Sequence, residues 1–114
     1  MVMASHEECR AAILTVVERF NSHDAGRRRQ RIPDRSVACT LLDLDVTFAG
    51  RLQEGYIVDV ARSPIHTADL RVLCSSDDLV AMVGGELSFT HAFSAGRVRL
   101  DASIRDVLRF RALM

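Results

Sequence analysis

Three groups of side chains in this sequence have the types needed for chemistry: the thiols Cys9, Cys39 and Cys74, the imidazoles His6, His23, His66 and His91, and the carboxylates Asp77 and Asp78 just ahead of Gly84-Gly85. The thiols are an odd set without a CxxC pair, which signals neither a disulfide framework nor a zinc site. Cys39 and Cys74 fall at alternating strand positions with apolar neighbours. A thiolate nucleophile needs a nearby positive group or base, so these two read as inert buried thiols. The histidines offer no pair at metal-ligand spacing on one helix and are read as surface or loop residues. His91 alone stands beside apolar Ala92 and Phe93. Asp77 and Asp78 belong to a first helical turn, where the helix dipole favours carboxylates without any catalytic purpose. Gly84-Gly85 has the wrong spacing for a phosphate loop, and no strand delivers it. The sequence therefore assigns no catalytic residue, no metal ligand and no cofactor.

Composition narrows the class further. The chain has 114 residues, a size at which one domain can bury a core without staples. Apolar residues make up 48%, but Trp is absent and aromatics contribute only 5%, so the interior is aliphatic. Acidic and basic side chains balance at zero net charge, which removes the basic field of a dedicated nucleic-acid binder. The RRRQR run from Arg27 to Arg31 is read as a solvated connection, partly balanced by Asp24 and Asp34. Every basic residue is Arg and none is Lys, a bias expected of a GC-rich bacterial genome. Reduced thiols, the absence of a basic-then-apolar leader in MVMASHEECRAAIL, and no run near the roughly 18 to 20 apolar residues of a membrane span point to a cytoplasmic protein.

The elements follow from caps and periodicity. Ser5 with Glu8 forms a capping box ahead of Cys9, Ala12, Ile13, Val16, Val17 and Phe20 at helical spacing. This helix should end between Asn21 and Gly26, and Pro33 prevents a helix from continuing through the arginine-lined connection. Period-two alternation then marks strands. Val37, Cys39 and Leu41 share one face, as do Val46, Phe48, Gly50 and Leu52. Tyr56, Val58 and Val60 share a face of a third strand, joined to the second through a hairpin turn at Gln53 to Gly55. RSPIHTA from Arg62 to Ala68 is a loop, and Leu70, Val72 and Cys74 alternate in a fourth strand. Ser75 or Ser76 caps a helix carrying Leu79, Met82 and Val83, ended by Gly84 and Gly85. Ser88 caps a second short helix with Phe89, Ala92 and Phe93, ended by Gly96. Arg97 to Asp101 forms a fifth strand with Val98 and Leu100 on one side. Ser103 opens a last helix through Met114, its apolar positions being Ile104, Val107, Leu108, Phe110, Leu113 and Met114. Helices of two turns are marginal in water, so both short ones must pack against the sheet.

In this order of elements, and above all in SDDLVAMVGG followed by HAFSAGRVRL, the chain resembles the sterol carrier protein domain. The first segment is similar to the family's acidic cap and LxxLxxG motif, the second to its AF-xx-G-[KR]-[LV]-x-[IL] motif. Close similarity covers about thirty residues, and looser similarity nearly the whole chain. Ala102 stands where the family often has Gly, and Phe89 where Pro is frequent.

The resemblance implies an α+β fold, a five-stranded and mostly antiparallel sheet covered by helices in a single domain spanning residues 1–114. It also implies an apolar tunnel that binds a fatty acid, acyl-CoA or sterol-like lipid without catalysis. The side chains expected to line it are Phe48, Val72, Leu79, Met82, Val83, Phe89, Phe93, Val98, Leu100, Val107 and Leu108. Implied partners are a small apolar lipid and at most transient contact with a membrane surface, with no nucleic acid. The alternative is a filled domain of the same fold that dimerises or serves a partner enzyme.

Overall fold

The computed structural model describes residues 4–22 and 33–111, and within the last helix it leaves the side chains of Val107, Arg109, Phe110 and Arg111 undescribed. Helix α1 runs His6–Asn21 and begins at the expected capping box: the Ser5 hydroxyl accepts from the Glu8 amide at 3.1 Å, and the Glu8 carboxylate accepts from the Ser5 amide at 3.1 Å. Strands β1 (Arg35–Leu41), β2 (Val46–Gln53), β3 (Tyr56–Ser63) and β4 (Leu70–Cys74) follow, then helices α2 (Ser76–Val83) and α3 (Phe89–Ser94), strand β5 (Arg99–Ala102) and helix α4 (Ile104–Arg111). The arginine-lined connection expected at Arg27–Arg31 and the end of the last helix beyond Arg111 lie outside the described residues.

The sheet has the order β3-β2-β1-β4-β5. Only β1 and β4 pair in parallel, so the sheet is mostly antiparallel, as the family resemblance implies. The β2–β3 hairpin closes through Glu54 and Gly55, both at positive φ (52° and 84°), a backbone pair whose twist matches the flanking strands. One face of the sheet carries Val37, Cys39, Leu41, Phe48, Gly50, Leu70, Val72 and Cys74 in register across three strands. This face is covered by helices. Its Leu41–Val46–Cys74 end packs with Cys9, Ala12 and Ile13 of α1, Leu79 of α2, and Ala92 and Val98 into one core. On the opposite face, Thr40 and Thr47 share a hydrogen bond of 2.9 Å, and the β3–β4 loop adds His66 Nδ1 at 2.6 Å from the Thr47 hydroxyl. Ser36 and Asp69 exchange two further bonds that anchor the loop.

Polar tethers fix the helices to the sheet and to each other. Asp77 accepts from the Ala4 amide at one end of the α1–α2 pair, while Arg19 donates to the Val83 carbonyl at the other, so the two helices run side by side in the same direction. Ser75 caps α2 as expected, and Asp43 from the β1–β2 turn accepts both the amide and the hydroxyl of the buried Ser76. Asp78, which the dipole argument placed in the first turn, also forms a two-toothed ion pair with Arg97. At the far end, Ser103 accepts from the Asp106 amide, and the buried Asp106 carboxylate takes Arg35 Nε at 3.2 Å.

Two expectations from alternation are corrected. Tyr56, Val58 and Val60 do not share a face. The β2–β3 register shifts by one residue between Ala49 and Arg51, so Asp59 and Val60 together stand opposite Gly50, with Asp59 at φ 57°. Such a bulge reverses side-chain parity, and Val60 joins Ile57 on the helix-covered face. The fifth strand begins at Arg99, not Arg97. After Gly96 at φ 77°, the amides of Arg97 and Val98 turn back to the Ala92 carbonyl, which withdraws both residues from the ladder.

The bulge is intolerant of a side chain at Gly50, where a Cβ would sit 2.9 Å from Val60 Cγ2 and 3.0 Å from the Val58 carbonyl oxygen. Gly50→Val should therefore destabilise the domain by about 1–3 kcal/mol, read from chemical denaturation. Asp43 supplies a pH signature. Burial raises its pKa, but the hydroxyl and amide of Ser76 and the amides of Asp43 and Leu44 outweigh that and hold it below the ordinary value. A carboxyl depressed in the folded state stabilises above its unfolded pKa of about 3.9, and this contribution disappears as pH falls through the folded value. Asp43→Asn should be less stable than the parent at neutral pH and should lose less stability on acidification from about pH 5 to about pH 3.

Candidate functional site

Packing of the helix-covered face stops short of its Val37–Gly50–Leu70 end. There a cavity of about 250 Å³ lies between α1 and the sheet. Its roof is the apolar stripe Ile13, Val16, Val17 and Phe20, placed on one side of α1 by helical spacing. Its floor comes from Val37 and Cys39 of β1, Phe48 and Gly50 of β2, and Leu70 and Val72 of β4, with Ile57 and Val60 at the β3 side. Gly50 has no side chain to fill the floor, and the bulge turns Val60 inward beside Ile57 to form the wall next to it. The helix end is tied down where Asn21 both donates to the Ile57 carbonyl and accepts from its amide.

Of the side chains expected to line a tunnel, Phe48 and Val72 are on this wall. The others are not. Leu79 and Val98 are core residues, Val98 with only 1% exposure, and Met82, Val83 and Phe89 are half-buried against that core. Phe93 stacks on Phe89 with ring centroids 6.1 Å apart but is 47% exposed on the outer side of α3. Leu100 and Leu108 are also exposed, at 37% and 58%, and the Val107 side chain is not among those described. The α1 stripe was legible as an apolar face but carried no sign that it covers empty space. The available signal was Gly50, because a glycine inside a strand marks a bulge or a close approach.

The cavity contains one thiol, that of Cys39. A hydrogen bond with the Cys74 thiol, followed by burial, pushes its pKa well above the ordinary thiol value. Cys9, on the fully buried side of α1, is raised by burial and then by Asp43 and other neighbouring groups. All three cysteines are free, and no group of three or more metal-ligating side chains occurs among the described residues. Among those residues, no helix is long and apolar enough to cross a membrane.

The sequence profile of the SCP-2 sterol transfer family matches residues 14–114. The chain belongs to this family. SCP-2 domains bind and transfer lipids, and solved relatives confirm the fold at low sequence identity. Sterol carrier protein 2 like 2 from Aedes aegypti superposes with a TM-score of 0.67 at 14% identity, covering 95% of this chain and 97% of that one. A ubiquinone synthesis protein, UbiJ-SCP2, gives 0.61 at 17% identity with 90% of each chain covered. The stereoselective inverting sec-alkylsulfatase Pisa1 from Pseudomonas sp. gives 0.55 at 23% identity, over 80% of this chain but only 14% of that larger enzyme. No curated protein matches the chain significantly.

Cys39 at the cavity and Cys9 in the core of this SCP-2 domain lead to a chemical expectation. Cys9 and Cys39, both held protonated, should resist a thiol reagent at about pH 8 in the folded protein and react on unfolding. Rapid labelling of either without loss of structure, located by mass spectrometry, would contradict the buried arrangement.

Proposed function

We propose that this domain binds one alkyl chain of a lipid between α1 and the sheet, and carries or presents that lipid in the cytoplasm without altering it. The observation that carries the reading is the apolar cavity itself, roofed by Ile13, Val17 and Phe20 and floored by Val37, Gly50 and Val72. Its single thiol is held neutral, which supports a carrier over a catalyst. Three free cysteines support a reducing compartment.

Cavity size constrains the ligand. With a methylene taking roughly the ~30 Å³ share of a water molecule, 250 Å³ holds about eight carbons. At ~0.8 kcal/mol per buried methylene, the tail contributes about 6 kcal/mol before ordering costs. Micromolar affinity needs about 8 kcal/mol. A tail of this length therefore binds tightly only with a second contribution, from a widened cavity or from a polar head. A longer chain would extend beyond this volume or move α1 away from the sheet.

A second reading is supported by the enzyme and biosynthetic contexts of the sulfatase and UbiJ-SCP2 neighbours, and by exposed Phe93, Leu100, Ile104 and Leu108 around α3, β5 and α4. In that reading the domain serves a partner enzyme or pairs with a second copy. The two readings separate on ligand binding. An environment-sensitive fatty-acid probe should bind the domain in a one-to-one ratio and be displaced by alkyl ligands. Val37→Phe, which extends a floor side chain into the cavity, should weaken the probe by about tenfold or more without lowering the melting temperature. If no alkyl ligand competes, or if Val37→Phe binds the probe as well as the parent, the cavity reading fails and the partner reading replaces it.

A further inference from the structure

Helix α4 has the sequence IRDVLRFR, with three arginines, one carboxylate and the aliphatic side chains Ile104 and Leu108 a single turn apart on one side. A helix this short normally buries such a stripe. Here Ile104 is 80% exposed, the most of any large apolar side chain among the described residues, and Leu108 is 58% exposed. What fixes the helix lies on its other side. Asp106, two residues from each of them, is buried and takes Arg35 Nε at 3.2 Å, while its amide donates to the Ser103 hydroxyl.

We infer that α4 lays Ile104 and Leu108 onto an anionic lipid surface and so docks the domain on a bilayer. The inference goes beyond the cavity reading and is tested apart from it.

Charge selects the occupant. The one carboxylate of α4 is taken by Arg35, so Arg105, Arg109 and Arg111 leave the helix cationic by its sequence. Arg105 is exposed next to Ile104 and takes no part in the ion pairs of the described residues, which engage Arg35, Arg71 and Arg97. Asp101, in the strand just before, is already paired with Arg71 at 2.9 Å. A second copy of this chain on the stripe would set arginine against arginine. A bilayer containing anionic lipids instead offers phosphates beside an apolar layer, the surroundings in which a basic amphipathic helix rests at an interface.

Helix α1 is not free for the same task. Its Ile13, Val17 and Phe20 roof the cavity, and the bonds of Ala4 to Asp77 and of Asn21 to Ile57 hold its two ends. The placement of α4 gives the docking a direction. Ala102, two residues before the helix, pairs with Leu70, and Leu70 pairs with Val37; both partners line the cavity. A docked α4 therefore brings this end of the sheet to the bilayer.

The test is co-sedimentation of the full chain with vesicles of phosphatidylcholine alone and of equal parts phosphatidylcholine and phosphatidylglycerol. The mixed vesicles should bind it at least about tenfold more strongly, and added salt should reduce the difference. Ile104→Ser and Leu108→Ser should each weaken that binding by about fivefold or more with the melting temperature unchanged, whereas Leu14→Ser on exposed α1 surface should not weaken it. Arg105→Gln should cost about fivefold on mixed vesicles and nothing on phosphatidylcholine. The sequence has no Trp, so Ile104→Trp and Leu14→Trp report the surroundings of each helix by their emission. Only the former should shift to the blue on mixed vesicles. If neither vesicle binds the chain, if Ile104→Ser binds as the parent does, or if Leu14→Trp shifts instead, the docking face is overturned. A lipid-free dimer that Ile104→Ser dissociates would make the stripe a self-interface and also overturn it. Fatty-acid probe binding is a separate measurement, and its failure would remove the cavity reading without deciding this one.

Discussion

The one-residue bulge opposite Gly50 is the constraint on which this structure depends. β2 and β3 cannot keep a single register along their length, because Asp59 takes a left-handed backbone and leaves two residues of β3 facing one of β2. Asp tolerates that conformation better than most residues, and Gly50 leaves space for the close approach. Side-chain parity then reverses along β3. Ile57 lies inward on one side of the bulge, and Val60 and Arg62 lie inward on the other. A regular β3 would direct Val60 and Arg62 to the opposite face.

The helix-covered face is divided by this arrangement into a packed half and an open half. Leu41, Val46 and Cys74 meet α1, α2 and the turn after α3 in a close aliphatic core, while Val37, Gly50 and Val72 face space beneath Val16, Val17 and Phe20. Hydrophobic burial supplies the stability of the packed half. The polar tethers act chiefly on geometry. Exposed ion pairs such as Arg71–Asp101 contribute about 0–1 kcal/mol, but the bonds of Asp77, Asp43 and Asp78 set where α2 lies, and Arg19 ties α1 to its far end. An SCP-2 domain with little aromatic bulk uses these bonds to hold aliphatic helices beside a cavity that they do not fill.

Position on the sheet also explains the chemistry available to the domain. The apolar end of the cavity offers burial without direction, a property that selects by size more than by identity. Burial disfavours the thiolate at Cys9, and the hydrogen bond with Cys74 followed by burial disfavours it at Cys39. Phe93 of α3 and Ile104 and Leu108 of α4 are exposed and do not line the cavity.

The amino-acid sequence by itself determined most of the elements. Ser5 with Glu8, Ser75 and Ser88 mark helix starts through hydrogen bonds within three residues of the cap, and the Glu54-Gly55 turn identifies the hairpin, because these interactions are local. The SDDLVAMVGG and HAFSAGRVRL segments also carried the family and hence the sheet. The site was much less legible: Phe48 and Val72 were placed on the cavity wall, whereas Phe93 and Leu108 proved exposed and Leu79 and Val98 belonged to the core. Apolar periodicity tells which face of an element avoids water, but the same stripe can fill a core, roof a cavity or remain open. Only tertiary packing distinguishes them, since α1 and α3 carry similar apolar faces and only α1 stands over Gly50. The parity of β3 was likewise decided by its pairing with β2, because a bulge exists only between two strands and a strict period of two within one strand cannot contain it.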